Sequence, residues 1–381
     1  MPDFGFSEEQ ERLRSLARDF ANNEIRPKIK EIEEKRKIPE DLLKKTFGTF
    51  STFLVPDEYA KADYDKSHIG RTVALEELGT ACPGLAHSLQ VHHMCHYAIL
   101  HWGDEEQKKR FVPDLATGKK IGGIALTEPY GGSDPMGIRT VAKREGNYYV
   151  LNGMKVWITN SHIADVIGVV AKIEGEKGLT FFLVEKGMDG FEPLYEHKEL
   201  GLRGCNVGAF VLRDCRIPKE NVVGKEGAGL RVALHAISNV GRPGVAAICL
   251  GIVRRCLELA SGFAKRRKLY GKPISDLQVI QFYLTDMYAD YEATRWITYY
   301  AAWLRDKNVK CDAENALAKY FAVEAAIRCS RRVLEIYGAW GLAEENEPQR
   351  LYRDAIAFAS TGGTQEIMKV VMTRKALEFG R

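Results

Sequence analysis

The sequence predicts an α+β fold in which a helical region, a β region and a second helical region follow one another along the chain. Apolar residues recur every three or four positions up to about residue 120, alternate with a period of two from about 121 to 230, and then return to helical spacing. The length of 381 residues also exceeds what one hydrophobic core usually holds. We therefore expect a helical domain at 1–120, an antiparallel, barrel-like β domain at 121–230 and a four-helix bundle at 231–381.

The composition excludes several classes of protein. The chain is 45% hydrophobic and carries 55 Lys and Arg against 51 Asp and Glu, which is typical of a globular protein and too balanced for a dedicated nucleic-acid binder. Apolar runs such as 164–171 are too short to cross a bilayer, and the N-terminus does not resemble a signal peptide. The eight cysteines form no CxxC pair, so we expect no metal site, reduced thiols and a cytoplasmic location.

The first region is predicted to be helical throughout. Ser7 can cap a first helix, which Pro27 then bends or interrupts. Helical periodicity predicts four further helices, at 40–47, 68–78, 85–102 and 105–115.

The second region is predicted to consist of short strands joined by glycine turns. Tight turns are expected at 145–147 and at Asn152-Gly153. The strands are predicted at 140–143, 148–151, 155–159, 166–172 and 180–185, followed by 209–211 leading into a last strand near Cys215.

The third region returns to long helices. They are predicted at 245–265, 277–305 and 313–337, with Gly338 ending the last of these. A final helical stretch from Ala355 onward is interrupted at 361–364.

Two sequence motifs resemble a dinucleotide loop and a metal site, but each lacks a residue that such a site needs. Gly227-Ala228-Gly229 begins like a dinucleotide loop, but Val232 occupies the third glycine position and no βαβ unit surrounds it. His92 and His96 lie four residues apart, a spacing that can bind a metal, but the residue after His92 is His93 rather than the Glu of a zinc protease. A helix that lines a substrate pocket or faces solvent explains the histidines better.

Two polar loops are better candidates for cofactor binding. Residues 125–134 (ALTEPYGGSD) combine paired glycines, a proline and hydroxyl side chains, which can present N–H and hydroxyl groups to a flat cofactor or a phosphate. Residues 155–160 (KVWITN) add Trp157 and Thr159 at a strand end, suited to stacking on and hydrogen bonding an aromatic ring. The alternative for 125–134 is a purely structural turn.

These segments, with RRKLYGKPISDLQ at 266–278 and GGTQEIMK at 362–369, resemble the acyl-CoA dehydrogenases over essentially the whole chain. The resemblance implies that family's α–β–α fold, FAD as cofactor and an acyl-CoA thioester as substrate. It also implies an electron-transfer flavoprotein as partner, and a homotetramer or homodimer that buries the flavin between subunits. No nucleic acid or membrane is expected as a partner.

The resemblance also implies roles for particular residues. Those implied for FAD are Leu126, Thr127, Ser133, Trp157, Thr159, Arg267, Tyr270, Gln278, Gly338, Gly341, Thr364 and Glu366. Those implied for the CoA thioester are Ser133, Asn239, Arg242 and Gly362. Arg267 and Tyr270 match residues that reach FAD across a subunit interface.

The family's catalytic base is missing from both of its usual positions. Dehydrogenation needs a carboxylate to remove the α-proton of the thioester. The family places this Glu at positions that correspond to Gly241 and Gly362 in this sequence. A register shift near Gly241 would not restore it, because no Asp or Glu lies between Glu226 and Glu258.

Three explanations remain open. The base has moved, with His92 or His93 as candidates, in an atypical dehydrogenation such as a 1,4-elimination on an alicyclic acyl-CoA. Alternatively, the flavin catalyses enoyl-CoA reduction or a desulfination, or the chain is a catalytically silent subunit that binds flavin or acyl-CoA. In the first two cases the chain is an oxidoreductase acting on CH–CH bonds or a closely related flavoenzyme.

Overall fold

The N-terminal part of the molecule is a layer of helices. A computed structural model describes residues 5–380. The helices of this part are α1 (Glu8–Phe20), α2 (Ile29–Lys35), α3 (Glu40–Phe50), α4 (His68–Ala81), α5 (Pro83–Trp102) and α6 (Glu105–Ala116). Ser7 caps α1 as expected, through a reciprocal capping box with Gln10. Before α2 the chain forms one π-helical turn and then a 3₁₀ turn that contains Pro27, which is the predicted interruption.

The middle of the chain forms a twisted sheet. Its strands are β1 (Gly122–Ala125), β2 (Val141–Glu145), β3 (Tyr148–Thr159), β4 (Val166–Ile173), β5 (Thr180–Glu185), β6 (Phe191–Glu196), β7 (Val207–Pro218) and β8 (Val222–Val223). Their order is β6-β7-β3-β2-β4-β5-β8, with β1 beside β4. Most pairs are antiparallel as predicted, but β4 pairs in parallel with both β1 and β2.

One predicted turn is wrong. Asn152-Gly153 lies inside the continuous strand β3, where the pairing register with β7 shifts between Leu151 and Gly153. Pairing with β7 along both halves of β3 outweighs the local turn preference, so the two residues stay in the strand, opposite a bulge in β7 at Arg213-Asp214. Strands β6 and β8 were not predicted, since β6 is exposed along most of its length and β8 is only two residues long.

The C-terminal part is a helical bundle. Its helices are α7 (Gly229–Ala236), α8 (Arg242–Arg266), α9 (Gln278–Asp306), α10 (Asp312–Tyr337), α11 (Ala339–Leu342), α12 (Glu347–Ala357) and α13 (Gln365–Leu377). A small hairpin of β9 (Lys268–Leu269) and β10 (Lys272–Pro273) separates α8 from α9. The short α7, which the sequence did not predict, is joined to α8 by a π-helical turn at Ile237–Gly241.

Helix α8 is the centre of the helical core. It packs against α4 from the N-terminal layer and against α9, α10 and α12 of the bundle. The stretch Gly229–Arg266 is long and apolar enough to cross a membrane by composition, but 94% of its apolar window is buried inside the protein, as in a core helix. All eight cysteines are buried and free of disulfides, as expected.

Candidate active site

A cavity of about 490 Å³ lies where the three parts of the chain meet. Helix α5 forms one wall, and the loop after β1 forms a second wall together with the end of β3. The start of α8 and the turn before α13 form the third wall. Its lining includes nine of the residues singled out in the sequence, namely Leu126, Thr127, Ser133, Trp157, Thr159, Gly241, Arg242, Gly362 and Thr364. Segments more than 200 residues apart in sequence therefore form one site.

A buried ion pair holds the two polar loops together. Lys155 Nζ lies 2.8 Å from Glu128 Oε1 and donates a further hydrogen bond to the carbonyl of Leu126 at 3.1 Å. Glu128 also accepts from the backbone of Arg139 and Thr140. Burial lowers the pKa of Lys155 to about 8, while the Glu128 carboxylate beside it opposes that shift. Sequence inspection missed this pair, because nothing in the ALTEPYGGSD segment shows that its Glu faces inward.

Trp157 is held in a strained conformation at the mouth of the cavity. Its φ of 59° lies in the left-handed region, which is uncommon for an aromatic residue and is typical of functional positions. The indole stacks on the imidazole of His197 with ring centroids 3.7 Å apart, and 55% of the Trp157 side chain remains exposed. The nearby Thr159 hydroxyl lies 3.3 Å from Nε2 of His87. Together these groups form an aromatic and polar face.

The opposite wall comes from the bundle. Thr364 caps α13 by accepting a hydrogen bond from Ile367, so the N-terminal turn of that helix starts at the cavity. Arg242 opens α8, is buried, and its Nε has no hydrogen-bond partner among the described residues. Burial lowers the pKa of this guanidinium, although Asp312 partly offsets the effect. An unpartnered buried cation and a free helix start favour an anionic or polar ligand.

Gly241 and Gly362 both line this cavity, and their surroundings differ. A Cβ placed on Gly241 would lie 3.2 Å from the sulfur of Met94, so that space is already filled. A Cβ on Gly362 would meet no atom within 4 Å. Gly362 has a φ of 68°, a conformation that other residues adopt only with strain. The cavity therefore has unoccupied room beside Gly362.

The histidines predicted as a relocated base lie outside the cavity, and the structure argues against that role. His92 accepts a hydrogen bond from the backbone N–H of Gly122, and its Nε2 pairs with the carbonyl of Leu115. His93 contacts Arg71 Nε and the carbonyl of Phe50. Both rings are fully buried, and burial lowers the pKa of His92 to about 4. Each ring nitrogen is thus committed to a structural contact.

The remaining predicted residues are not among those that line the cavity of this chain. Asn239 is buried in the π-helical turn before α8, and Gly341 is buried in α11. Gly338 ends α10, and Glu366 lies in the first turn of α13. Residues 5–380 contain no cluster of His, Cys, Asp or Glu that could hold a metal.

The three residues of the 266–278 segment, Arg267, Tyr270 and Gln278, are exposed at the far end of α8 and the start of α9. Tyr270 is 91% exposed and lies at the tip of the β9–β10 hairpin. Such a side chain cannot touch the cofactor cavity of its own chain in this conformation.

Two titratable cavity residues were not found from the sequence. His87 on α5 lines the cavity, and burial lowers its pKa to about 4, so it is neutral at physiological pH. Glu199, in the loop between β6 and β7, also lines it, and burial raises its pKa to about 7. The loop is remote in sequence from every motif that pointed to the site, so no local signal identified Glu199.

A second cavity of about 640 Å³ adjoins the first through Leu234, which lines both. Its wall carries two basic side chains, Arg231 and Lys310, together with Ser238 and the acid Asp312. The first cavity is the less open of the two and is called the inner cavity, and the second, which carries these charged side chains, is called the outer cavity.

Comparison with known proteins agrees with this architecture. Models of the acyl-CoA dehydrogenase N-terminal, middle and C-terminal domains match residues 7–119, 123–215 and 227–377. An acyl-CoA dehydrogenase of Bacillus subtilis (strain 168) is 36% identical over 97% of this chain and 98% of its own. An acryloyl-CoA reductase (NADH) of Anaerotignum propionicum is 34% identical over 99% of this chain and 96% of its own.

Solved structures give the same result. Butyryl-CoA dehydrogenase from Megasphaera elsdenii superposes with a TM-score of 0.95 at 31% identity, covering 99% of this chain and all of the other. The chain belongs to the acyl-CoA dehydrogenase family, whose members are FAD-dependent oxidoreductases that act on CH–CH bonds. The predicted fold class is thereby confirmed.

The residues present fit FAD. The indole of Trp157 offers a flat surface, and the hydroxyls of Thr127, Ser133 and Thr159 surround the same cavity. The unpartnered Nε of Arg242 and the start of α13 at Thr364 supply donors for the polar groups of a cofactor or substrate.

Proposed function

We propose that this flavoenzyme carries out an atypical dehydrogenation of a CoA thioester whose acyl group carries a ring or a branch. The supporting observation is the room beside Gly362, at the position where the family keeps its catalytic Glu. Bound FAD would act as the hydride acceptor. A carboxylate side chain at this position would fill the space that a bulky acyl group needs, and glycine leaves it free.

The shape of the inner cavity limits where that bulk can lie. Met94 fills the space beside Gly241, while Val91, Ile124 and Leu126 add apolar surface around the chamber. Open space for an acyl group therefore lies beside Gly362. A compact alicyclic or branched group suits this shape better than a long straight chain, which needs a narrow and deep channel.

The outer cavity suits the CoA part of the substrate. Arg231 and Lys310 can attract phosphates, and Ser238 adds a hydroxyl group. Burial lowers the pKa of His235, which also lines this cavity, to about 4, so His235 contributes no positive charge near neutral pH. Leu234 joins the two chambers, which allows a thioester to lie with its acyl end beside Gly362 and its nucleotide end beside Arg231.

Anaerobic mixing with a panel of acyl-CoAs tests the proposal. Cyclohexanecarboxyl-CoA, cyclohexenecarboxyl-CoA and isobutyryl-CoA are compared with butyryl-CoA and octanoyl-CoA, and loss of flavin absorbance is followed. We expect bleaching by at least one cyclic or branched thioester and slow or no bleaching by octanoyl-CoA. Rapid turnover of straight-chain thioesters contradicts the proposal, and absence of bleaching with CoA esters still bound supports the silent-subunit alternative.

Enoyl-CoA reduction is a second candidate function. It is supported by the Anaerotignum propionicum relative, which is named an acryloyl-CoA reductase and matches nearly the full length of both chains. Dithionite-reduced enzyme is mixed with acryloyl-CoA and crotonyl-CoA, and return of the oxidised flavin spectrum is recorded. Reoxidation that is faster than bleaching by the corresponding saturated thioester favours the reductive direction. A sulfinated acyl-CoA in the same panel tests desulfination.

The partners follow from the same reasoning. Electrons would pass to an electron-transfer flavoprotein, as in the relatives of the family. A homotetramer or homodimer, located in the cytoplasm, would cover exposed apolar side chains on the bundle. These include Tyr270, Phe282, Trp340, Leu342, Val370 and Leu377. The domain boundaries near residues 120 and 230 remain a prediction.

A further inference from the structure

Glu199 has an unusual position for a carboxylate. All residues that line the inner cavity lie in the described part of the chain, and among them Glu199 is the one Asp or Glu. Its side chain is partly buried, yet its carboxylate makes no hydrogen bond or ion pair with the residues that the structure describes. Buried carboxylates are usually paired, so an unpaired one in a cavity indicates a functional group.

The loop that carries Glu199 packs against α12, the helix that precedes the turn with Gly362. The backbone N–H of Leu202 donates to Asp354 Oδ1 at 2.6 Å, and a Cβ on Gly201 would lie 2.0 Å from the carbonyl oxygen of Arg353. Arg353 and Asp354 are on α12, which leads directly into the turn that contains Gly362. The loop and the turn therefore share one rigid support.

The charged groups around the loop leave the Glu199 carboxylate free. Arg36 and Arg353 donate to the backbone carbonyls of Glu199 and Leu200. Asp354 is already paired with Arg350 and Leu202, and the ring of His197 stacks on Trp157. The buried thiol of Cys205, whose pKa is raised by burial, stays neutral.

His87 is the other titratable group that could compete for this role. Its Nδ1 lies 3.3 Å from Gln90 Nε2 and its Nε2 lies 3.3 Å from the Thr159 hydroxyl. Burial lowers the pKa of His87 to about 4, which makes it a weak base. Burial also raises the pKa of Glu199 to about 7, near the optimum for proton transfer at neutral pH.

We propose that Glu199 is the acid–base residue of this cavity and exchanges the α-proton of the bound thioester, in place of a carboxylate at position 241 or 362. The inference rests on the proposed function and names a residue for it. The α C–H bond breaks, the proton forms an O–H bond with the Glu199 carboxylate, and the electron pair is delocalised onto the thioester carbonyl. The reverse step returns a solvent-derived proton, so exchange needs no oxidant.

Deuterium exchange tests this directly. The FAD-loaded enzyme is incubated without an electron acceptor in D₂O with cyclohexanecarboxyl-CoA or butyryl-CoA, and deuterium at the α-carbon is measured by mass spectrometry. We expect exchange in the wild type, with a rate that rises through about pH 7 and then levels off. Glu199→Gln should lower the rate by about 100-fold or more and abolish this pH dependence. Glu199→Asp should retain part of it.

Glu196→Gln is the matched control, since Glu196 is exposed at the end of the preceding strand. It should exchange like the wild type. An infrared band of a protonated carboxyl that titrates near neutral pH should disappear in Glu199→Gln and persist in Glu196→Gln. This readout is independent of turnover and shows whether Glu199 carries the proton.

Two results overturn the inference. One is exchange in Glu199→Gln at the wild-type rate, and the other is a wild type that exchanges no α-hydrogen with either probe. Flavin bleaching by the acyl-CoA panel is measured separately, so bleaching without a role for Glu199 leaves the proposed function standing. If the flavin is not bleached but exchange depends on Glu199, the proposed oxidation is contradicted and the role of Glu199 is not.

Discussion

At the scale of single residues, the inner cavity contains two glycines whose missing side chains leave different amounts of space. Gly241 leaves a space that Met94 fills, whereas Gly362 leaves a space that stays open. The two glycines thus have different surroundings, although the family resemblance implies a position for the catalytic Glu at each of them. The carboxylate that remains, on Glu199, lies on a different structural element and is supported by α12.

The ion pair between Lys155 and Glu128 gives a prediction at the same scale. Replacing Lys155 by Met leaves a buried carboxylate without its cation, which typically costs about 3–5 kcal/mol of unfolding free energy. The double variant Lys155→Met/Glu128→Gln should recover a large part of that loss, because no unpaired charge remains. Urea denaturation measures both. Equal stability of the single variant and the wild type would contradict the account.

Part of the cavity could be predicted from local sequence patterns, and Glu199 could not. The 125–134 and 155–160 segments indicated a cofactor-binding surface that includes Trp157 and Thr159, because aromatic and hydroxyl groups are visible in a local pattern, whereas Thr127 and Ser133 followed from the family resemblance. Glu199 belongs to no such pattern, since its role depends on tertiary packing of its loop against α12. The structure argues against the role predicted for His92 and His93 for a related reason. Their helical spacing is visible in the sequence, but the backbone carbonyls that occupy their nitrogens are not.

At the scale of elements, helix α5 is a buried helix that carries several histidines. Burial lowers the pKa of His87 and His92 to about 4, and that of His68 at the start of α4 to about 3. These folded-state values lie below the ordinary value of 6.5, so protons bind preferentially to the unfolded chain. Their contribution to stability is present above about pH 6.5 and is lost as the pH falls toward 4.

Acidification below about pH 6.5 should therefore destabilise the protein. Each such histidine contributes about 1.2 kcal/mol of unfolding free energy per pH unit near pH 5.5. Urea denaturation at pH 7, 6 and 5.5 with a fixed FAD concentration measures this slope. His87→Gln should lower the slope by about the contribution of one histidine. A free energy that is constant across this range would show that the histidines are not buried as described.

Helix α6 connects the N-terminal layer to the sheet through Gln107 as well as through Arg110. Gln107 completes the capping box with Asp104, and its Nε2 also donates to the carbonyls of Glu220 and Val222 at 2.7 Å each. Gln107→Met should cost about 2 kcal/mol, since it removes two part-buried hydrogen bonds. Asp104→Ala should cost about 1 kcal/mol, the usual value for a lost cap. Equal costs in chemical denaturation would contradict the bridging role.

At the scale of the whole molecule, the bundle presents apolar side chains that a single chain does not cover. Phe282 is 59% exposed and Leu377 is 71% exposed, on α9 and α13 respectively. Sedimentation should therefore show an assembly larger than one chain. Phe282→Glu should reduce its mass and weaken FAD retention, while the control Leu16→Glu on α1 should do neither. A wild type that sediments as one chain with FAD bound would contradict this expectation.

A substitution at position 362 tests most directly whether the wild type lacks the family's base. Gly362→Glu returns a carboxylate to open space, at a strain cost of about 1–2 kcal/mol for its backbone conformation, and Gly362→Gln carries the same strain without the charge. The measurement is anaerobic flavin bleaching by butyryl-CoA in wild type and both variants. We predict slow or absent bleaching in the wild type and Gly362→Gln, and a clear gain in Gly362→Glu. Rapid bleaching of the wild type, with no gain in Gly362→Glu, would contradict the account.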